Sequence, residues 1–185
     1  MTNPDTTLTT SALPLAPGRW SLDANHVRVG FAVRHLGVSK VRGHFSDVQA
    51  VLAVGETAAE SSVSASVAIA SIDTGHADRD AHVLTPELLD VDKHPTMTFA
   101  STAITGAGDQ WTLDGDLTIG GVTRPVSFDV EFGGTSDFQD GVHAGFEARG
   151  EIRRHDFDIH FGPLDAALGN VVKVELDLEF LEPAG

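Results

Sequence analysis

The chain has 185 residues and an apolar fraction of 41%, enough for one folded domain with a sizeable core. Its 27 acidic and 12 basic residues give a formal charge of −15, which disfavours nucleic acid and acidic membrane surfaces as partners. Cysteine is absent, which excludes disulfides, thiolate nucleophiles and Cys-type zinc or iron–sulfur sites.

Residues 1–17 are rich in Thr and Pro and lack apolar periodicity, so a mobile N-terminal tail is expected there. They show neither a basic start nor an apolar run of signal-peptide length, and the expected location is the cytoplasm. No later segment approaches the ~20 apolar residues of a membrane helix, so no stable membrane insertion is expected. The folded domain is predicted over residues 18–183.

Strand signals then follow one another. Apolar residues at every second position mark a strand with one dry face. Val27, Val29, Phe31 and Val33 fit this rule. The long stretch from Val38 to Val54 carries Val48, Leu52 and Val54, with Gly43 inside it where a strand can bend round a barrel corner. Val63, Ala65, Val67 and Ile69 alternate with Ser62, Ser64, Ser66 and Ala68. A short helix is predicted near residues 86–90, with Thr85 as cap and Pro86 at the first helical position. Trp111, Leu113, Leu117 and Ile119 continue the alternation. Val126, Phe128, Val130 and Phe132 follow, then Val142, Ala144, Phe146, Ala148 and Ile152. Val172, Val174, Leu176, Leu178 and Phe180 close the series. Turn residues at Gly106–Asp109, Gly120-Gly121 and Asp140-Gly141 imply hairpins, hence antiparallel neighbours. The pattern gives about eight strands. With few helices to cover the dry face, the sheet must close on itself or pack on a second sheet, and the bend-prone glycines, Gly115, Gly145 and Gly150 among them, favour a closed barrel.

A barrel of this size either fills its lumen with side chains or leaves room for one ligand. Many inward positions are small: Ala50, Ala65, Gly115, Ala144, Ala148 and Gly150. Phe31, Val33, Phe45, Phe99, Leu117, Phe128, Val130 and Phe146 would line the interior, and tyrosine is absent. Alternation alone leaves a packed core and a hollow, hydrocarbon-binding lumen both open.

The polar candidates are few. His76, His82 and His94 flank Arg79-Asp80, but their spacing matches no metal motif, and histidines bonded to loop backbone explain them as well. Arg79 and Asp80 either pin a loop or orient a polar headgroup. His35 falls at a strand end, where it either stabilises a turn or faces a ligand carbonyl. His155, Asp156, Asp158 and His160 form an acidic loop without a calcium-loop pattern. Nucleophile elbows, P-loops and dinucleotide fingerprints are missing. No catalytic residue, metal or cofactor is therefore expected.

Four blocks of the sequence resemble the YceI-like family. WSLDANHVRVGFAVRHLGVSKVRGHF (residues 20–45) carries Trp20, Asp23, His26, Phe31, His35, Gly37, Val41, Gly43 and Phe45. IDTGHADRDAHVLTPELLDVDKHPTMTF (residues 72–99) carries Thr74, Arg79, Asp80, His82, Leu84, Asp90, Pro95 and Phe99. GDLTIGGVTRPVSFDV (residues 115–130) is similar nearly throughout, and Arg154, Asp156 and Phe157 open a later loop motif. The chain departs from the family at Val27, usually Ser, at Leu88-Leu89, usually Phe-Phe or Leu-Phe, and at Asp158, usually Gly. The resemblance implies a single eight-stranded antiparallel barrel of lipocalin type, with one or two short helices. It implies binding, storage or transport of an amphipathic isoprenoid-type lipid, a polyprenyl phosphate or an isoprenoid quinone, without catalysis. The expected ligand-binding residues are Phe31, Val33, His35, Phe45, Arg79, Leu84, Leu88, Leu89, Met97, Phe99, Leu117, Phe128, Val130, Phe146 and Ile152. Association of two barrels into a homodimer is compatible with this reading. An enzyme using the His/Arg/Asp cluster and a filled structural barrel are the alternatives.

Overall fold

A computed structural model describes residues 11–185 of the chain. The alternating segments form ten strands: β1 (Gly18–His35), β2 (Ser39–Phe45), β3 (Val48–Val54), β4 (Ser62–Ala68), β5 (Ile72–Asp73), β6 (Thr96–Ala107), β7 (Gln110–Ile119), β8 (Val122–Phe138), β9 (Gly141–Arg153) and β10 (Leu168–Leu181). Every pairing is antiparallel, and β10 pairs with β1 from Ser21↔Leu181 to His35↔Leu168, closing the sheet. The foot of β1 pairs with β3 and its upper half with β2, so β2 and β3 are two halves of one bent stave. β4 and β5 continue each other in the same way across a 3-10 turn at Ile69–Ser71. The result is the closed eight-strand antiparallel barrel that the alternation predicts.

The corner in the 38–54 stretch falls at Ser46-Asp47, between β2 and β3, and not at Gly43. Gly43 does something else. It faces Phe31 across the β1–β2 pair, and a Cβ built on it would lie 2.4 Å from the Phe31 ring. Gly150 stands opposite Phe128 with the corresponding distance at 2.6 Å. Gly115 lies under the Phe99 ring, at 2.3 Å. Each ring takes the place of a missing side chain on the neighbouring strand, which covers an otherwise bare stretch of backbone. Any larger residue at these three glycines displaces a ring into the lumen. Gly145 has no such ring and stands opposite the β8 bulge at Gly134, whose φ of +105° suits glycine.

The base of the barrel is solid. Trp20, Leu52, Val54, Ala144 and Phe180 form one buried cluster, with Phe132 and Phe146 packed against it. Ala58, Ile104 and Trp111 form a second, joined by Val130. Residues 1–10 of the expected tail lie outside the described residues. From Ser11 the chain is fixed to this base: Leu13 and Leu15 pack against the Trp20 cluster, Ser11 accepts a bond from the Ala58 amide at 2.9 Å, and Ala16 accepts one from the Trp20 indole at 2.9 Å.

The helix predicted near residues 86–90 lies instead at Ala77–Val83, here α1. His76 caps it through Nδ1, and Asp78 and Asp80 in the first turn suit the positive end of the helix. The Thr85 hydroxyl donates to the His82 carbonyl at 2.7 Å, which spends it at the end of α1 and leaves residues 85–90 as a turn closed by Asp90 at φ +47°.

On the outer wall near the base, His143 bonds Asp140 at 2.7 Å and Glu179 at 2.5 Å, while His26 bonds Asp23 at 2.7 Å. The carboxylates, Asp140 first, raise His143 above its ordinary 6.5, and Asp23 does the same for His26. Asp140 and Asp23 are correspondingly lowered from 3.8, mainly by these histidine bonds. A raised histidine stabilises the fold fully below 6.5 and loses that contribution as pH rises through its folded value; a lowered carboxylate does so above 3.8 and loses it as pH falls. The melting temperature of wild type should therefore exceed that of His143→Gln most clearly between about pH 4 and 6.5, with the gap closing toward pH 9. A gap that widens with pH would show that the cluster is not ionised as described.

Candidate functional site: an apolar chamber at the mouth of the barrel

Above the solid base, side chains leave the lumen unfilled. A chamber of about 670 Å³ occupies the upper half of the barrel and reaches the surface beside α1. Its wall is built from the inward positions of every stave, because side chains of one parity face inward. β1 contributes Phe31, Val33 and His35, and β2 contributes Phe45. β6 contributes Met97 and Phe99, β7 contributes Leu117, β8 contributes Phe128, and β9 contributes Ile152. Leu89 comes from the turn after α1, and Arg79 stands at the mouth. These eleven were expected to meet a ligand, and the fold brings them to one space.

Four other expected residues are elsewhere. Val130 packs with Trp111, and Phe146 packs with Phe132 and Phe180, with ring centroids 5.2 and 6.0 Å apart; both belong to the base. Parity sends them inward, but parity does not say at which height the barrel is filled. Leu84 packs between α1 and the core clusters. Leu88 lines a separate hollow of about 180 Å³, with Asp90, His94 and Asp158. Asp158 sits at φ +58°, a left-handed position that suits glycine and tolerates aspartate. It therefore lies away from the chamber.

The chamber's polar groups gather at its mouth. Arg79 and Asp80 do not pair with each other; both hold Thr74. Arg79 donates through Nε to the Thr74 hydroxyl at 2.8 Å and through Nη2 to the Thr74 carbonyl at 2.7 Å. Asp80 accepts from the Thr74 amide at 3.0 Å and from its hydroxyl at 2.5 Å. This fixes α1 on the rim and leaves Arg79 Nη1 without a hydrogen-bond partner among the described residues. His35 and His82 also reach the chamber, and neither ring has a hydrogen-bond partner among the described residues.

Arg154, which the sequence marks only as the start of the later loop motif, has a structural role that its position in that motif does not reveal. It is only 3% exposed, and it ties down the loop that roofs the mouth. Its guanidinium donates to the carbonyls of Gly169 at 2.9 Å, Ile159 at 2.9 Å, Leu168 at 2.9 Å and Asp165 at 3.1 Å, and to the Asp165 carboxylate. The arginine beside it holds the Asp165 carboxyl well below the usual carboxylate range. Phe161 covers the guanidinium at 5.3 Å. The sequence did carry a signal: Ala148, Gly150, Ile152 and Arg154 share one parity, and an inward-facing arginine needs buried partners.

His76, His82 and His94 form no group of metal donors among the described residues. Two other groups have donor atoms within 4.8 Å of one another: His155, His160 and Asp165, and Asp23, His143 and Glu179. Asp165 is engaged by Arg154 and by His155 at 2.9 Å, and His143 has both ring nitrogens on carboxylates. In each group the acid–imidazole contacts already occupy donor atoms a cation would need, and the His160 ring stacks on His155 with centroids 4.6 Å apart.

A closed antiparallel barrel, filled at one end and holding an apolar chamber at the other, defines a class of proteins that bind apolar small molecules. The chain belongs to the YceI-like domain family, whose pattern matches residues 20–180. It is 36% identical over 157 residues to Protein YceI of Escherichia coli O157:H7, covering 83% of this chain and 82% of that one. The YceI protein of Campylobacter jejuni superposes with a TM-score of 0.72 at 29% identity, over 82% of this chain and 90% of that one. A polyisoprenoid-binding domain from Saccharophagus degradans shares the fold, with a TM-score of 0.68 at 15% identity, over 89% of this chain and 98% of that one.

Truncating Arg154 to Ala strips partners from several buried carbonyls and should cost about 2–4 kcal/mol in urea denaturation. Protease should cut the 155–168 loop faster in the variant than in wild type. A loss below about 0.5 kcal/mol would show that the roof is held by other contacts.

Proposed function

We propose that the protein binds and carries an amphipathic isoprenoid-type lipid, without catalysing a reaction on it. The observation that carries this reading is the chamber: about 670 Å³, walled by aliphatic and aromatic side chains, with polar groups confined to the mouth. Hydrocarbon gains roughly 0.8 kcal/mol per methylene on leaving water for such a space. At roughly 30 Å³ per water-sized group, the chamber takes on the order of twenty heavy atoms, about four isoprene units. The Phe31, Phe99 and Phe128 rings, each seated on a glycine of the next strand, form smooth wall and leave the centre open. Membership of the YceI-like family supports a binding role, and the shared fold with a polyisoprenoid-binding domain agrees with it.

The polar end of the ligand would lie among His35, Arg79 and His82. Arg79 Nη1 and the two imidazoles are donors suited to a quinone carbonyl or a phosphate oxygen. A longer chain would run from the chamber out through the mouth. The filled-barrel alternative does not fit the open chamber. The enzyme alternative draws on Arg79 and Asp80, whose hydrogen bonds to Thr74 serve to fix α1.

Mild purification, solvent extraction and mass spectrometry should release a prenyl-chain compound. Ala65→Trp fills the chamber from β4 and should lower affinity for an added isoprenoid quinone by about tenfold or more while the circular dichroism of the barrel persists. A variant that binds as well as wild type, or a wild type that neither yields nor takes up such a lipid, would count against the proposal.

A further inference from the structure

We infer that the rim of the chamber is a docking surface for an anionic lipid bilayer, through which the apolar cargo passes without crossing water. The inference rests on the carrier reading above.

The apolar part of this surface is exposed where burial would be expected. Leu36 and Val38, at the tip of the β1–β2 hairpin, are 64% and 81% exposed. Leu164, on the roof loop, is 60% exposed and also lines the chamber. The Leu36 amide donates to the Ala167 carbonyl at 2.7 Å, so hairpin tip and roof loop form one rim. Leu36 is also held at φ +53°, a left-handed position that disfavours a leucine and suits Gly, Asn or Asp. Folding gains nothing from an exposed leucine in a strained turn. Such an outlier points to a use outside the folded monomer.

The charge around the rim fits one partner. On the outer wall just below it, Arg34 and Lys40 face each other across β1–β2, and Arg153 stands opposite Val171 across β9–β10. In the next row Arg42 and Lys173 flank Ala32 of β1, and Glu151 opposes Lys173. All five cations are exposed. They are five of the 12 basic residues in a chain of formal charge −15, gathered on the hairpin side of the mouth with Glu151 among them, while the rim's acids, Asp78 and Asp80 of α1 and Asp156, Asp158 and Asp165 of the roof loop, lie on its other elements. The net charge argued against an acidic membrane. At physiological salt, however, charges act over only ~8 Å, so the local cluster and not the total decides what the rim attracts. Apolar tips amid cations match the interface of an anionic bilayer, where each basic residue near the surface contributes to attraction. The chamber opens between these tips and α1, so a docked rim would put its mouth against the acyl region.

The test is flotation of the full chain with phosphatidylcholine vesicles, made with and without phosphatidylglycerol. Wild type should float with the phosphatidylglycerol vesicles, and high salt should release it. The pair Leu36→Asp and Val38→Asp should reduce flotation about tenfold or more, as should Arg42→Glu with Lys173→Glu. Neither pair should alter binding of a quinone added in detergent, since none of these residues lines the chamber. Ala65→Trp, which blocks the chamber, should still float. Failure of the carrier reading thus shows in quinone binding, and failure of docking shows in flotation. Wild type that ignores both vesicles would overturn the inference, as would an Asp pair that floats like wild type. If sedimentation shows a wild-type dimer that the Asp pair dissociates, while wild type does not float, the rim joins two copies and the bilayer is wrong.

Discussion

The pairing of β10 with β1 is the interaction on which the rest depends. It satisfies the backbone of the first and last staves and removes the sheet edge that an open structure would expose. Closure also turns one face of all eight staves inward, so the apolar parity of each strand is hidden without a second layer. A closed barrel of eight staves has a nearly fixed width. What differs along its axis is what the sequence puts inside. Near the foot it puts Trp20, Trp111, Phe146 and Phe180, and the space is filled. Above that it puts Ala65, Val33 and phenylalanines that lie on glycines, and the space stays open.

Those Phe-on-Gly pairs explain how a lumen rich in phenylalanine remains hollow. A ring standing upright from the wall would reach toward the barrel axis. A ring seated on a neighbouring glycine contributes apolar wall while costing less of the volume. The glycines read from the sequence as bends or empty places are therefore foundations for rings, and the chamber owes its shape to both partners. At the mouth, the same economy of contact appears in Arg154, whose single side chain bonds four carbonyls and a carboxylate to hold the roof loop.

Much of this was legible in the sequence, because period-two alternation is a local signal that tertiary structure seldom overrides. It placed seven runs of strand and, with the turns, the antiparallel order, but β6, which supplies Met97 and Phe99, was not among those runs. The sequence also indicated the inward set, of which Phe31, Phe99 and Phe128 reach the chamber. Parity gave no height along the axis, so Val130 and Phe146 were grouped with the lining although they pack the base. The helix was displaced because Thr85 can serve a helix start or a helix end, and the backbone carbonyl of His82 decides for the end. Arg79 and Asp80 read as either a loop pin or a headgroup clamp; they pin, through Thr74, which lies five and six residues away and whose contacts the sequence does not mark. The rim was hidden by averaging: a total charge cannot show that cations from four different strands meet around one opening.

The most direct test of the central claim is crystal diffraction from xenon-pressurised crystals, since a dry apolar cavity takes up xenon whereas a hydrated one does not. Anomalous peaks are expected inside the barrel, bounded by Phe31, Phe99 and Phe128 and absent from the Trp20–Phe180 base. Ordered water chains through that volume, or side chains collapsed across it, would contradict that claim.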